Sequence, residues 1–416
     1  KNLIIIGENR ETTIIDGNQS GSVVIFENGE DSTTFLSSFT IQNGSALYGG
    51  GIHFANNSNP TLHNLIVQDN ACSTGGGAGI CSDNSSPTIE QTIIRNNTSG
   101  DVGGGLYCTF NSNPVLTDVL IEGNSAESGT WLGFVYGGGG GISCWNSSPV
   151  LTNVTITENT SSDFGGGISI MHIVADEIPY TEPNPVLVNT ILWNNYPDEI
   201  YNASPPDSGS LSVSYSDIQG GLDSIGLPNE GSIVWGSGNI DVDPMFADTA
   251  SGDYRLLALS PAINAGHPDS TDADGSRADM GCYPYLNSYV GPVWYVDSTN
   301  GSNISGTGSS FNAFANIGPA VRFAADSDSI NVAAGTYAEN VDFDGKNLKL
   351  VGVDREATII DGGGSGSVVT IANGETSAVL SGFTLQNGNN NEGGGILVDG
   401  TDPTLTNLII RNNTAV

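Results

Sequence analysis

The 416-residue chain carries 57 glycines, 45 acidic side chains and only 10 basic ones, for a formal net charge of −35. So acidic a surface gains no counterion release from nucleic acid and is repelled by an anionic membrane, which argues against both as partners; it suits divalent cations or a saline exterior, or simply keeps a long surface soluble. Glycine at nearly twice its usual share favours turns and strands over helices, and no apolar run is long enough to span a bilayer.

Taken in chain order, the first stretch returns later. Lys1 to Asn70 reads KNLIIIGENRETTIIDG, GSVV, FTIQNG, GGGI and NPTLHNLIVQDN, and Lys346 to Asn413 reads KNLKLVGVDREATIIDG, GSVV, FTLQNG, GGGI and DPTLTNLIIRNN. The offset is 345 at Lys1, 344 at Gly44 and Gly388, and 343 at Asn70 and Asn413, so small loop deletions are the only drift. The chain reads as one period of a tandem array plus the start of the next, a segment of something longer.

A shorter repeat runs inside the period. Pro60, Pro87 and Pro114 recur every 27 residues, and Pro149 and Pro185 follow after insertions. Each copy has a glycine run, an apolar residue, an Asn/Ser turn, Pro, an alternating strand and Asn. Alternation over Thr61 to Val67 marks a short strand with one buried face. A unit this short cannot close its own core and must stack on the next, which predicts an all-β, parallel β-helix. Leu62, Ile89, Leu116, Leu151 and Leu187, each two residues after a Pro, are expected to form one buried column about 4.8 Å apart.

Asn70, Asn97, Asn124, Asn159 and Asn195 are expected to take left-handed backbone angles and pass side-chain amides from rung to rung, with the glycine runs at the opposite corner. Cys81, Cys108 and Cys144 lie five or six residues before a Pro, like Phe54, and read as equivalent core positions. Stacked thiols would be close enough for a disulfide, although adjacent parallel strands rarely offer its dihedral; no CxxC spacing points to zinc. Two insertions, Glu127 to Tyr136 with Trp131 and Phe134, and Met171 to Pro183, should project as loops that either bind or pack on the stack. Asn84, Asn96, Asn146 and Asn153 open Asn-x-Ser/Thr sites that serve glycans or turns.

These rungs resemble right-handed parallel β-helix repeats of secreted bacterial proteins, including the GGGI and NN signatures of polymorphic outer-membrane proteins. GNIDVDPMFADTASGDYRLLALSPAINAGHPDSTDADGSRADMGCYPY, Asn239 to Tyr285, is similar to the end segment of choice-of-anchor Q type surface proteins. That resemblance implies export and surface display, hence an extracellular or cell-surface location. VWYVDSTNGS and the stretch after it resemble the start of a secreted β-helix domain. There Ile317, Ala320, Val321 and Ala324 keep helical spacing with Pro319 near the start, and this short helix should cover the open first rung. The organisation expected is rungs over 1–238, an end segment over 239–285, a linker over 286–292 and a second copy from 293 to 416.

Chemistry is sparse. A polysaccharide lyase needs clustered carboxylates with a basic residue, and a glycosidase needs a carboxylate pair. The outward acids Glu90, Asp118, Glu122 and Glu158 form no recurring cluster, and the histidines His53, His63, His172 and His267 are scattered. Asp272, Asp274 and Gly275 make a DxDG element with Asp269 and Asp279 close by. Asp269, Asp272, Asp274 and Asp279 are thus candidate ligands of a structural calcium, the other reading being a solvated acidic turn. Arg277 reads as a loop salt bridge. Two functions remain: a structural or adhesive extracellular fibre whose partners are neighbouring copies of the repeat and surface polysaccharide, and a carbohydrate-binding or polysaccharide-degrading β-helix.

Overall fold

The computed structural model describes residues 2–127, 129–131 and 134–136 (backbone alone in these two triplets), 138–172, 181–205, 208–229 and 231–415. Two compact units are formed, 1–244 with 261–284, and 245–260 with 285–416. Both are right-handed parallel β-helices, and the described residues hold a single α-helix, Ile317–Phe323. No described helix is long and apolar enough to cross a membrane.

In the first unit each rung contributes one short strand to each of several parallel sheets. Leu62 lies opposite Ile89, Ile89 opposite Leu116, Leu116 opposite Leu151 and Leu151 opposite Leu187. All five are at most 1% exposed, so the column expected from the prolines is present. Ile41, Val67, Ile94, Ile121, Ile156, Leu192 and Ile218 form a second, and Ile52, Ile80, Leu106, Ile142, Ile168 and Ile200 a third. Burial of these side chains, each contributing roughly 1.5–3 kcal/mol, supplies the stack with its main driving force.

Asparagine holds one corner, in a way that corrects the sequence reading. The backbone N–H and Nδ2 of Asn70 both donate to Oδ1 of Asn97, at 3.0 and 2.9 Å, and Asn97 does the same to Asn124, Asn124 to Asn159 and Asn159 to Asn195. The left-handed residue is the one before each: Asp69, Asn96, Gly123, Glu158 and Asn194. The glycine runs lie beside this ladder and not opposite it. A Cβ on Gly105 would sit 2.6 Å from the Gly141 carbonyl oxygen and 3.1 Å from Asn124 Nδ2. Gly105→Ala should therefore lower stability by about 1–3 kcal/mol, read as a drop in thermal midpoint of the first unit; an unchanged midpoint would refute the close-packing argument.

Cysteine positions also need correction. Cys108 and Cys144 face each other in the core column that contains Phe54 and Ser82, whereas Cys81 sits opposite His53 and Tyr107 on the outward side of the same sheet. Strand side chains alternate, so a loop one residue shorter after Ser82 moves its neighbour Cys81 to the other face. All five thiols are free and buried. Of the insertions, Gly129–Trp131 pairs antiparallel with Phe134–Tyr136; the side chains of Trp131 and Phe134, and residues 173–180, lie outside the described residues.

The second unit repeats the beginning of the first. Ile4 lies opposite Phe35 and Lys349 opposite Val379; Leu36 lies opposite Leu62 and Leu380 opposite Leu405. Gly44 N–H donates to Asn70 Oδ1 at 2.8 Å, and Gly388 N–H to Asn413 Oδ1 at 2.7 Å. Asp16 Oδ2 accepts from Gln42 and Asn43, and Asp361 Oδ2 from Gln386 and Asn387. Below these rungs the helix packs on Val293–Val296 and Ser329–Val332, with Trp294, Phe314 and Phe323 stacked. Glu339 closes the helix N-terminus, accepting from Ile317 N–H at 2.8 Å and Gly318 N–H at 2.9 Å.

The stretch 239–285 is divided, because Phe246–Asp248 and Asp253–Leu256 form a hairpin and Arg322 donates to the carbonyls of Leu259 and Ser260, which ties 245–260 to the second unit. In residues 286–292, Asn287 Nδ2 donates to Thr307 O and the Tyr289 hydroxyl to Val293 O.

Candidate functional site

Four residues after each rung proline the chain turns a corner with a left-handed residue: Asn64, Gln91, Asp118, Asn153 and Asn189. Their side chains stack outside the core. Asn189 Nδ2 donates to Asn153 Oδ1, and Asn153 Nδ2 to Asp118 Oδ1, both at 3.0 Å. Asn64 Nδ2 donates to Ser38 Oγ at 3.1 Å. Gln91 breaks this line. Its side-chain amide is exposed and makes no hydrogen bond among the described residues.

Residues 261–284 fold back along the same corner. His267 N–H donates to Asn189 Oδ1 at 2.6 Å, Gly281 N–H to Asn189 O at 2.8 Å, and Cys282 N–H to Thr155 Oγ1 at 3.1 Å. Gly281, at φ 90°, passes so close to Ile191 and Thr155 that a Cβ would meet them at 2.8 and 2.9 Å. Between this segment and the corner column lies a cleft of about 460 Å3, walled by Arg10, Gln91, Asp118, Asn153, Asp272 and Tyr283.

Its electrostatics are mixed. Arg10 Nη1 donates to Gln91 O at 3.1 Å and its Nε lies 3.4 Å from Glu11 Oε1. Burial raises the Asp272 carboxyl, opposed by the N–H of Asp279 and reinforced by the charges of Asp274 and Asp118. Burial also pushes the Tyr283 phenol up, and the Cys282 thiol up to about 12, so neither ionises near neutrality.

The four acids expected to gather a calcium ion are not brought to one point. Asp272 Oδ2 accepts from Asp279 N–H at 3.0 Å, Asp274 Oδ1 from Ser276 N–H and Oγ at 3.0 and 2.6 Å, and Asp279 Oδ1 from Asn264 N–H at 2.7 Å, while Asp269 N–H donates to His267 Nδ1. Among the described residues no group of three or more His, Cys, Asp or Glu side chains is placed to hold a metal ion. One oxygen each of Asp272, Asp274 and Asp279 is thus used within the segment. Arg277 makes no loop salt bridge of the kind expected among the described residues: Nε donates to Gly266 O and Nη2 to Ala265 O, and the guanidinium lies 5.7 Å from the centre of the Tyr215 ring. Asn84, Asn96, Asn146 and Asn153 all take left-handed turn positions, as the turn reading of those sequons requires.

Residues 3–161 match the family model described as right handed beta helix region. That stretch holds the rungs supplying Arg10, Gln91, Asp118 and Asn153. Two solved structures, titled as a PL6 family alginate lyase AlyGC and a mutant of it, are similar at 11% identity with TM-scores of 0.20 and 0.21, covering 99% of this chain and 76% and 78% of theirs. Similarity of that degree carries no argument about activity. No curated protein matches the chain.

Of the cleft, sequence reasoning singled out Asp272 as a ligand and Asp118 as an isolated acid. Arg10, Gln91 and Tyr283 were missed. A signal existed, since the fourth residue after each rung proline is Asn, Gln or Asp in every copy.

Proposed function

We propose that the chain is a structural or adhesive stretch of an extracellular, tandemly repeated β-helical surface protein or fibre. The observation that carries this reading is the duplicate start: two stretches about 344 residues apart use the same strand registers and the same Asn-to-Gly and Asp-to-Gln/Asn hydrogen bonds. Such duplication favours growth by adding copies. The resemblance of Asn239 to Tyr285 to end segments of surface proteins supports export, and the charge of −35 suits an exposed, solvated surface that binds neither nucleic acid nor an anionic bilayer. Neighbouring copies of the repeat, and polysaccharide at the surface, are its partners in this reading.

The test is localisation of the native protein. Antibodies raised against the 416-residue chain should label intact cells, and brief protease treatment of those cells should release fragments spaced by about one period. Labelling that requires permeabilised cells would overturn the proposal. So would release of sugar at enzymatic rates when the purified chain is incubated with polysaccharides.

A further inference from the structure

We propose that the cleft between residues 271–284 and the corner column of the first unit is a binding site for an uncharged polysaccharide, lying along the stacking direction. This deepens the reading above and rests on it for the class of partner, polysaccharide at the surface.

The hydrogen-bonding groups left over at the cleft motivate the proposal. Most polar side chains at this corner are consumed by the column itself: Asn153 joins Asp118 to Asn189, and Asn64 is spent on Ser38. The Gln91 amide, the second carboxylate oxygen of Asp118, the Tyr283 hydroxyl, Arg10 Nη2 and the Thr271 hydroxyl make no hydrogen bond among the described residues. The lining therefore offers both donors and acceptors together with the apolar groups of Ile93, Pro284 and the Tyr283 ring. A pyranose presents this combination in reverse, with hydroxyls at its rim and C–H groups on its face. Gln91 and Asp118 stand on adjacent rungs, about 4.8 Å apart, close to the length of one sugar unit, so two consecutive units of a chain could meet these two rungs.

Charge selects among saccharides. Asp118 and Asp272 contribute two carboxylates, and Asp274 adds its field at Asp272. The cation that lines the cleft, Arg10, is already shared between the Gln91 carbonyl and Glu11. A uronate would bring a further negative charge into this surrounding, whereas neutral hydroxyls can donate to Asp118 and accept from Gln91 and Tyr283.

The experiment is calorimetric titration of the 416-residue chain with neutral hexasaccharides (cello-, xylo-, manno-, laminari- and chitohexaose) and with hexamers of galacturonate and alginate. At least one neutral hexamer should saturate the chain and the uronates should not. Gln91→Ala and Tyr283→Phe should each weaken the neutral ligand by about tenfold. Gln91 is exposed, so its variant folds normally. Binding of none of the neutral hexamers, tighter binding of a uronate, or affinity unchanged in both variants would each overturn the proposal. None of these results bears on surface localisation, so the two proposals fail separately.

Discussion

Asn124→Ala is expected to destabilise the first unit by about 4 kcal/mol, a large effect for a single polar side chain. Asn124 Oδ1 accepts from both the N–H and Nδ2 of Asn97, while its own Nδ2 donates to Ile94 O and Asn159 Oδ1, each at 2.9 Å. The side chain is fully buried. Truncation strands a buried N–H, a buried carbonyl and part of two amides, each costing about 1–3 kcal/mol when left without a partner. Asn124→Asp should be worse still, since a carboxylate cannot donate to Ile94 O and would bury a charge. Urea unfolding checks the size, with hydrogen exchange over residues 94–125 locating the loss. Gln91→Ala, at an exposed corner, serves as the neutral control; a loss in Asn124→Ala no larger than in that control would defeat the ladder argument.

This example also marks how far the sequence could be read. The prolines set the register, so the Leu62 to Leu187 column and the identity of the ladder asparagines were legible from spacing alone. Local backbone chemistry was not. The left-handed strain falls on residue types as different as Asp69, Gly123 and Glu158, which share a position and no side-chain property. Cys81 was misplaced because a one-residue change in loop length inverts facing, and periodicity cannot register that without the neighbouring strand. The cleft was half visible in the Asn/Gln/Asp column. Its other wall depends on Cys282 meeting Thr155 across 127 residues, a contact that leaves no period to detect. The acidic loop reads as a cation site because its DxDG spacing is shared by calcium loops and by Asx turns, and spacing alone does not separate the two.

The second large effect is a fall in stability of the first unit between about pH 4 and pH 7. Two buried acids cause it. Glu199 terminates the asparagine ladder in place of a sixth asparagine, accepting from Asn195 N–H at 3.1 Å and Asn195 Nδ2 at 2.5 Å, and burial raises it to about 7 despite those hydrogen bonds. Asp217 is fully buried; its Oδ1 accepts from Val242 N–H at 3.2 Å while Oδ2 has no partner among the described residues. Burial raises Asp217 to about 7 as well, with the charges of Asp241 and Asp243 adding to the rise. For an acid raised on folding, the native state holds its proton over a range where the unfolded chain has lost it. Stability is then highest below the unfolded values near 4 and declines until both groups ionise near 7, the opposite of an acid stabilised by a salt bridge. Because each tenfold gain in proton affinity on folding is worth roughly 1.4 kcal/mol, either group contributes on the order of 3 kcal/mol to the difference. Asp217→Asn keeps an acceptor for Val242 and cannot ionise, so it should raise the midpoint at pH 8, leave it nearly unchanged at pH 4, and reduce the slope between them by about half. Thermal midpoints at those two pH values decide the matter: a wild-type chain equally stable at both, or an Asp217→Asn chain with the wild-type slope, would show that these carboxyls find solvent or a cation when charged.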